Sequence, residues 1–292
     1  DARRVIISNN LVDGLADGIG GLLAVNSSPD YTAGGTILIE GNVLANNPYG
    51  DGLVITGAGV EEGTGVTFQS RASSVTVINN IIKNCVGNGI DESFHKDVMI
   101  NNNVVANVAY GIACQNVASF VTIRNNNISN TTAYGISVDS SSVDAVISIT
   151  DNHIQDIPTI NFRGINTSAG RSVLISGNHV QNVNGTGIYS TIIRNICTIE
   201  GNIVDKVLIH GITVSEVGNL DVNHNTVSNT GNIGIFCQGG VYQSTGSVGV
   251  RGNRVSHAYD EGIRADNFQW ILHEGNIVNN AGATGSVSTG IY

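Results

Sequence analysis

Residues 121–136 read VTIRNNNISNTTAYGI, and residues 173–188 read VLISGNHVQNVNGTGI. Both follow one pattern: Val-x-Ile, then x-x-Asn-x-Ile/Val, a polar turn, then Gly-Ile. Outward from these two copies the pattern extends along the whole chain. The Asn recurs at 10, 42, 80, 103, 126, 152, 178, 202, 225, 253 and 276. The Gly recurs at 18, 52, 89, 111, 135, 164, 187, 211, 234, 262 and 290. A repeat this regular is the sequence signature of a solenoid. Each apolar stretch alternates like a half-buried strand, and none offers helical spacing over ten residues. Three strands per repeat, each too short to stand alone, predict coils whose strands pair with those of neighbouring coils. About eleven coils stacked at ~4.8 Å make a rod of roughly 50 Å. The Asn has two roles available: left-handed residue of a tight turn, and rung of an amide ladder between coils.

Composition agrees and excludes other classes. Gly and Asn, 37 each, make up a quarter of the 292 residues, whereas Pro numbers 3. Collagen needs Gly at every third position with abundant Pro. A disordered chain this polar would carry more charge than 12%. No apolar run approaches the ~20 residues of a membrane-spanning helix, so membrane insertion is not expected. A net charge of −10 argues against nucleic acid as a partner. Cys85, Cys114, Cys197 and Cys237 lack CxxC spacing, so no disulfide framework or zinc site is read from them. Their places in the repeat make them buried thiols.

The architecture and these residues resemble the right-handed parallel β-helix superfamily, from Val5 to Ile291. The expected fold is all-β, with 1–292 a single β-helix domain that belongs to a longer chain. Asn spacings of 32 and 38 near the start place two long loops at 20–35 and 56–74. The resemblance implies action on polysaccharides, as in pectate-lyase-like lyases, galacturonases, epimerases and the trimeric bacteriophage tailspikes that cleave surface glycans. It also implies a groove over one sheet, here the Gly-Ile strands, from which the long loops leave.

The register gives that sheet's outward residues. Asp51 and Asp91 fall on neighbouring coils with Glu92 next in sequence, and the 56–74 loop adds Glu61, Glu62 and Arg71. Glycoside hydrolysis needs one protonated and one ionised carboxyl, and crowding raises one pKa. Asp51, Asp91, Glu92, Glu61 and Glu62 are therefore the catalytic candidates. Arg71, His95, Arg163, Tyr189, His210 and Phe236 are the substrate-binding candidates. His210 with Arg163 offers a base and a cation for a lyase. Tyr110, Tyr134, Tyr189 and Phe236 offer flat platforms for sugar faces. Asp260, Glu261, Arg264 and Asp266 form a second charged group near the far end. No cofactor is called for, although Asp17, Asp51 and Asp91 are an alternative calcium set. The family's clustered Asp and Arg patterns are not found at matching positions.

The leading expectation is a glycoside hydrolase of the tailspike or depolymerase kind, a homotrimer, acting extracellularly or at a virion surface. A lyase, an epimerase or a fructan-processing transferase on the same scaffold is the alternative. A non-catalytic structural or adhesin rod is the third reading.

Overall fold

The computed structural model describes residues 4–14, 23–26, 35–56, 74–139, 144–240 and 246–282. The expected loop 56–74 lies outside these residues except at its two ends, as do Asp17, Glu61, Glu62 and Arg71, whereas within the expected loop 20–35 Leu23–Asn26 is a strand paired with Leu53–Thr56. Within them the chain is a parallel β-solenoid with three strands per coil. In the coil that opens the sequence reading these are Phe120–Arg124, Asn127–Thr131 and Ile136–Asp139. We call their three stacks the leading, middle and glycine faces.

All strand pairs are parallel and join equivalent strands of successive coils. The middle face is an 11-stranded sheet. The other two faces merge into one 18-stranded sheet. They merge because Arg163–Ser176, Thr186–Glu200 and Ile212–Asn223 run unbroken around the corner between them.

Alternation within each strand sends every second side chain into the rod. On the glycine face Leu53, Ile90, Ile112, Ile136, Ile165, Ile188, Ile212, Ile235 and Ile263 stack in register, all fully buried. The four cysteines are free and buried, as expected. Burial raises their pKa values, for Cys197 to about 12, so they pack as small apolar residues.

The ladder is complete. From Asn10 to Asn253, each Asn donates its side-chain Nδ2 to Oδ1 of the Asn one coil further on, at 2.8–3.0 Å. The same Oδ1 accepts the backbone N–H of the preceding coil's Asn. Turn formation falls to a different residue than expected. The left-handed backbone belongs to the position before the ladder Asn, such as Asn79, Asn102, Asn125, Asp151 and Gly177. A second left-handed position closes the middle face at Asn46, Asn84, Asn107, Asn130, Asp156 and Asn182. There exposed amides form an outer row that donates backwards, Asn84 to Asn46 and Asn107 to Asn84.

The repeated Gly has yet another cause. Gly111 and Gly135 do not have positive φ. A Cβ on Gly111 would lie 2.4 Å from the Gly135 carbonyl and 2.4 Å from Ile128 Cγ2. The glycine is there because successive coils touch backbone to backbone at that corner.

Candidate functional site

Two outward rows run along the glycine face. One precedes the repeated Gly: Asp51, Asn88, Tyr110, Tyr134, Arg163, Thr186, His210, Ile233 and Glu261. The other follows the buried Ile: Val54, Asp91, Ala113, Ser137, Asn166, Tyr189, Thr213, Phe236 and Arg264. Together they hold an acidic end, an aromatic and cationic middle, and a mixed-charge end.

At the acidic end, Asn88 links two carboxylates. Its backbone N–H donates to Asp51 Oδ1 at 2.5 Å, and its side-chain amide donates to Asp91 Oδ2 at 3.2 Å. Burial raises the Asp91 pKa, the Asn88 hydrogen bond opposes this, and the nearby Asp51 charge adds to it. A carboxyl whose pKa is raised by burial and by an acidic neighbour is the environment a general acid needs. Asn88 directly precedes Gly89 of the repeat, which puts it on this face, and the bridge uses both its backbone and its side-chain amide.

Glu92 and His95 do not join this site. Asp91 points out, so alternation turns Glu92 inward, stacked in register between Ile55 and Cys114. His95 follows Phe94, whose left-handed backbone (φ 66°) turns the chain back. Its Nδ1 lies 2.8 Å from Glu92 Oε1, and both side chains are 0% exposed. Neither can touch a substrate outside the rod. This corrects the expectation of Glu92 as catalytic and His95 as substrate-binding. Glu92 Oε2 and His95 Nε2 have no hydrogen-bond partner among the described residues.

The middle of the face is organised around Arg163. Its guanidinium lies 3.6 Å from the centroid of Tyr189 and 6.0 Å from that of Tyr134, and Nη1 donates to Asn166 Oδ1. Tyr134 packs against Tyr110 and edge-on to Phe162, each with centroids 5.2 Å apart. His210 lies against Phe236 at 5.9 Å, and its Nδ1 accepts the Ile233 backbone N–H at 3.3 Å. Burial lowers the His210 pKa, with Asp260 opposing, so the ring is neutral with Nε2 protonated. The four substrate-binding candidates here thus share one continuous surface.

At the far end Arg264 reaches Asp266 at 2.7 Å and Glu261 at 3.7 Å, and its guanidinium carbon lies 5.5 Å from the Phe236 centroid. This is an ion-pair network that holds Arg264 over the ring. No group of three or more His, Cys, Asp or Glu able to hold a metal ion is gathered among the described residues. The calcium reading therefore retains only Asp51 and Asp91 there. Two shallow clefts, of about 460 and 430 Å³, lie along the corner after the middle face, near Leu208–Tyr259 and Asn130–Asn184. The larger cleft is lined mostly by apolar and small residues such as Val207, Leu208 and Ala258, and the smaller brings Asp156 and Lys206 among three Asn; the paired carboxyls Asp51 and Asp91 are on the glycine face.

The chain belongs to the right-handed β-helix region family, whose model matches residues 1–161, 94–245 and 163–291. A search of curated proteins found no match. Among solved structures the chain is similar to the A-module of mannuronan C-5 epimerase AlgE4 of Azotobacter vinelandii. Identity is 13%, over 99% of this chain and 79% of that one, with a TM-score of 0.63. Tailspike protein 2 of an Escherichia coli O157:H7 bacteriophage is 13% identical over 87% of this chain and 33% of its own, at 0.41. The catalytic unit of a Streptomyces thermodiastaticus α-1,3-glucanase is 14% identical over 98% and 66%, at 0.42. The epimerase likeness establishes the shared fold.

Proposed function

We propose that this chain is a polysaccharide-acting β-helix domain that lays a glycan along the glycine face and hydrolyses it at the acidic end. Asp91 is the general acid and Asp51 the partner carboxylate. The observation that carries this reading is the Asn88 bridge, which sets two carboxyls against one residue while burial keeps Asp91 protonated at higher pH than usual. Asp91 gives its proton to the glycosidic oxygen as the bond to the anomeric carbon breaks. Asp51 then either attacks that carbon or takes a proton from an attacking water, according to the separation of the two carboxyls. Glu61 and Glu62 are further carboxylates for the second role, and Arg71 a further cation. Tyr189, Arg163, His210 and Phe236 hold the sugar rings beyond the cleavage point.

A second reading rests on the Arg163–Tyr189–His210 group. A neutral His one coil from a Tyr, with a guanidinium over that Tyr, offers a base and a cation for proton abstraction beside a uronate carboxylate. The named activity of the AlgE4 module, mannuronan epimerisation, is chemistry of this kind. A fructan-processing transferase would instead reuse the carboxyl pair. The expected setting is extracellular or on a virion surface, with three copies of the chain associated.

A glycan-degradation screen read by mass spectrometry tests the proposal. Products carrying an added water that vanish in Asp91→Asn support hydrolysis. Products lighter by one water that survive Asp91→Asn but not His210→Gln move the chemistry to the second group. Binding without products, unchanged in both variants, leaves an adhesin.

A further inference from the structure

We propose that His153 and His179 form a two-imidazole site for a soft divalent cation, zinc or copper, on the outer surface of the middle face. The two residues are register partners on neighbouring strands, His153–Ile157 and His179–Val183. Their side chains are half-buried on the outward side, with ring centroids 4.8 Å apart and planes at 75°. The rod does not need imidazole there, since the same row carries Asn127 on the coil before and Ile203 on the coil after.

The surrounding hydrogen bonds prepare one ring for coordination. His153 Nε2 lies 3.0 Å from Gln155 Oε1, which also accepts from Gln181 Nε2 at 2.9 Å. An amide oxygen only accepts, so Nε2 carries the proton and the lone pair sits on Nδ1. A carbonyl on the far ring nitrogen is how metal-binding histidines are held in one tautomer. The second ring stands edge-on to the first from the neighbouring strand, its centroid 4.8 Å away, so one ion between the strands can meet both imidazoles. Neutral imidazole is the ligand form, and zinc and copper accept it readily. With no third His, Cys, Asp or Glu joining among the described residues, water fills the remaining positions. The site stands on a different face from the proposed glycan surface and is independent of that reading.

The test titrates the purified chain with zinc chloride or copper chloride at pH 7.5, by calorimetry and by imidazole nitrogen NMR. One ion per chain is expected, with the His153 and His179 resonances shifting together on zinc and broadening together on paramagnetic copper. His153→Gln or His179→Gln should weaken binding at least tenfold, and Gln155→Leu, which frees the tautomer, roughly tenfold. His257→Gln, at an exposed corner, should change nothing. Binding should be lost at pH 5.5, where protons compete for the rings. If a variant does not fold, the wild-type resonances decide alone. Absence of binding, or shifts confined to other histidines, overturns the proposal.

Discussion

Breaking the buried Glu92–His95 pair should cost more than removing it. Both side chains are 0% exposed and 2.8 Å apart, in an interior built mainly from Ile and Val, with Ile55 and Cys114 as the register neighbours of Glu92. Replacing His95 with Leu leaves a carboxyl in that interior with neither a partner nor water. Loss of one member of a buried pair costs about 3–5 kcal/mol, whereas exchanging both for apolar residues of similar volume is neutral or stabilising by about 1–4 kcal/mol. Here the pair starts with two atoms, Glu92 Oε2 and His95 Nε2, that have no partner among the described residues, which favours the doubly apolar variant further. We therefore expect His95→Leu to lose about 4 kcal/mol and Glu92→Met/His95→Leu to match or exceed the wild type. Urea denaturation followed by circular dichroism gives the total. Hydrogen exchange at residues 90–115 separates local opening of these coils from global unfolding. The pH dependence adds a second readout. Burial raises the Glu92 pKa above the ordinary 4.5, with His95 opposing. Folding thus favours the protonated carboxyl, and its contribution is full below 4.5 and lost as pH rises through the raised value. Glu92→Gln should flatten that decline. Single variants within about 0.5 kcal/mol of wild type, or a double variant as damaged as the sum of the singles, refute the reasoning.

On the glycine face, Asp91→Asn should lower hydrolysis by at least about 100-fold with little change in stability. Asp51→Asn should remove most turnover and also lower the Asp91 pKa, read by NMR titration of the Asp91 carboxyl, because the Asp51 charge helps to raise it. Asn126→Ala breaks hydrogen bonds to Asn152, Ile100, Arg124 and Asn103 and should cost about 3 kcal/mol or more in urea denaturation. Gly111→Ala should destabilise more than Gly201→Ala: the first drives a Cβ into the next coil's carbonyl, the second meets nothing closer than 3.9 Å and bears only left-handed strain. In-register Leu11, Val43, Ile81 and Val104 form an apolar outer row. Replacing Ile81 and Val104 with Lys should lower the mass seen by analytical ultracentrifugation if that row packs against another copy.

The ladder and the three faces were legible because they depend on periodicity alone, and eleven repeats supply the register many times over. The same periodicity placed Asp51, Asp91, Arg163, Tyr189, His210 and Phe236 on one face. It failed where a neighbour in sequence is not a neighbour in space. Glu92 follows Asp91 but lies on the other side of the strand, and the left-handed bend at Phe94 that brings His95 to it carries no residue signal, since Phe rarely adopts that backbone. The turn geometry was assigned one residue too late because Asn occupies both positions in several coils: Asn79 bends while Asn80 bonds. The role of Gly was likewise hidden, because a residue needed for positive φ and one needed for close approach look identical in sequence.

The amide rows give the rod a polarity. In the inner ladder each Asn from Asn10 to Asn253 donates forward, and in the outer row the Asn amides at 84 and 107 donate backward. The dipoles of the two rows oppose one another rather than sum, yet the rod's ends remain chemically unlike. A coil joining ahead of Asn10 has to donate to the inner ladder, and one joining beyond Asn276 has to accept from it. Growth by adding coils therefore has a direction: a tail satisfies a head, and two like ends meet with donor against donor or acceptor against acceptor.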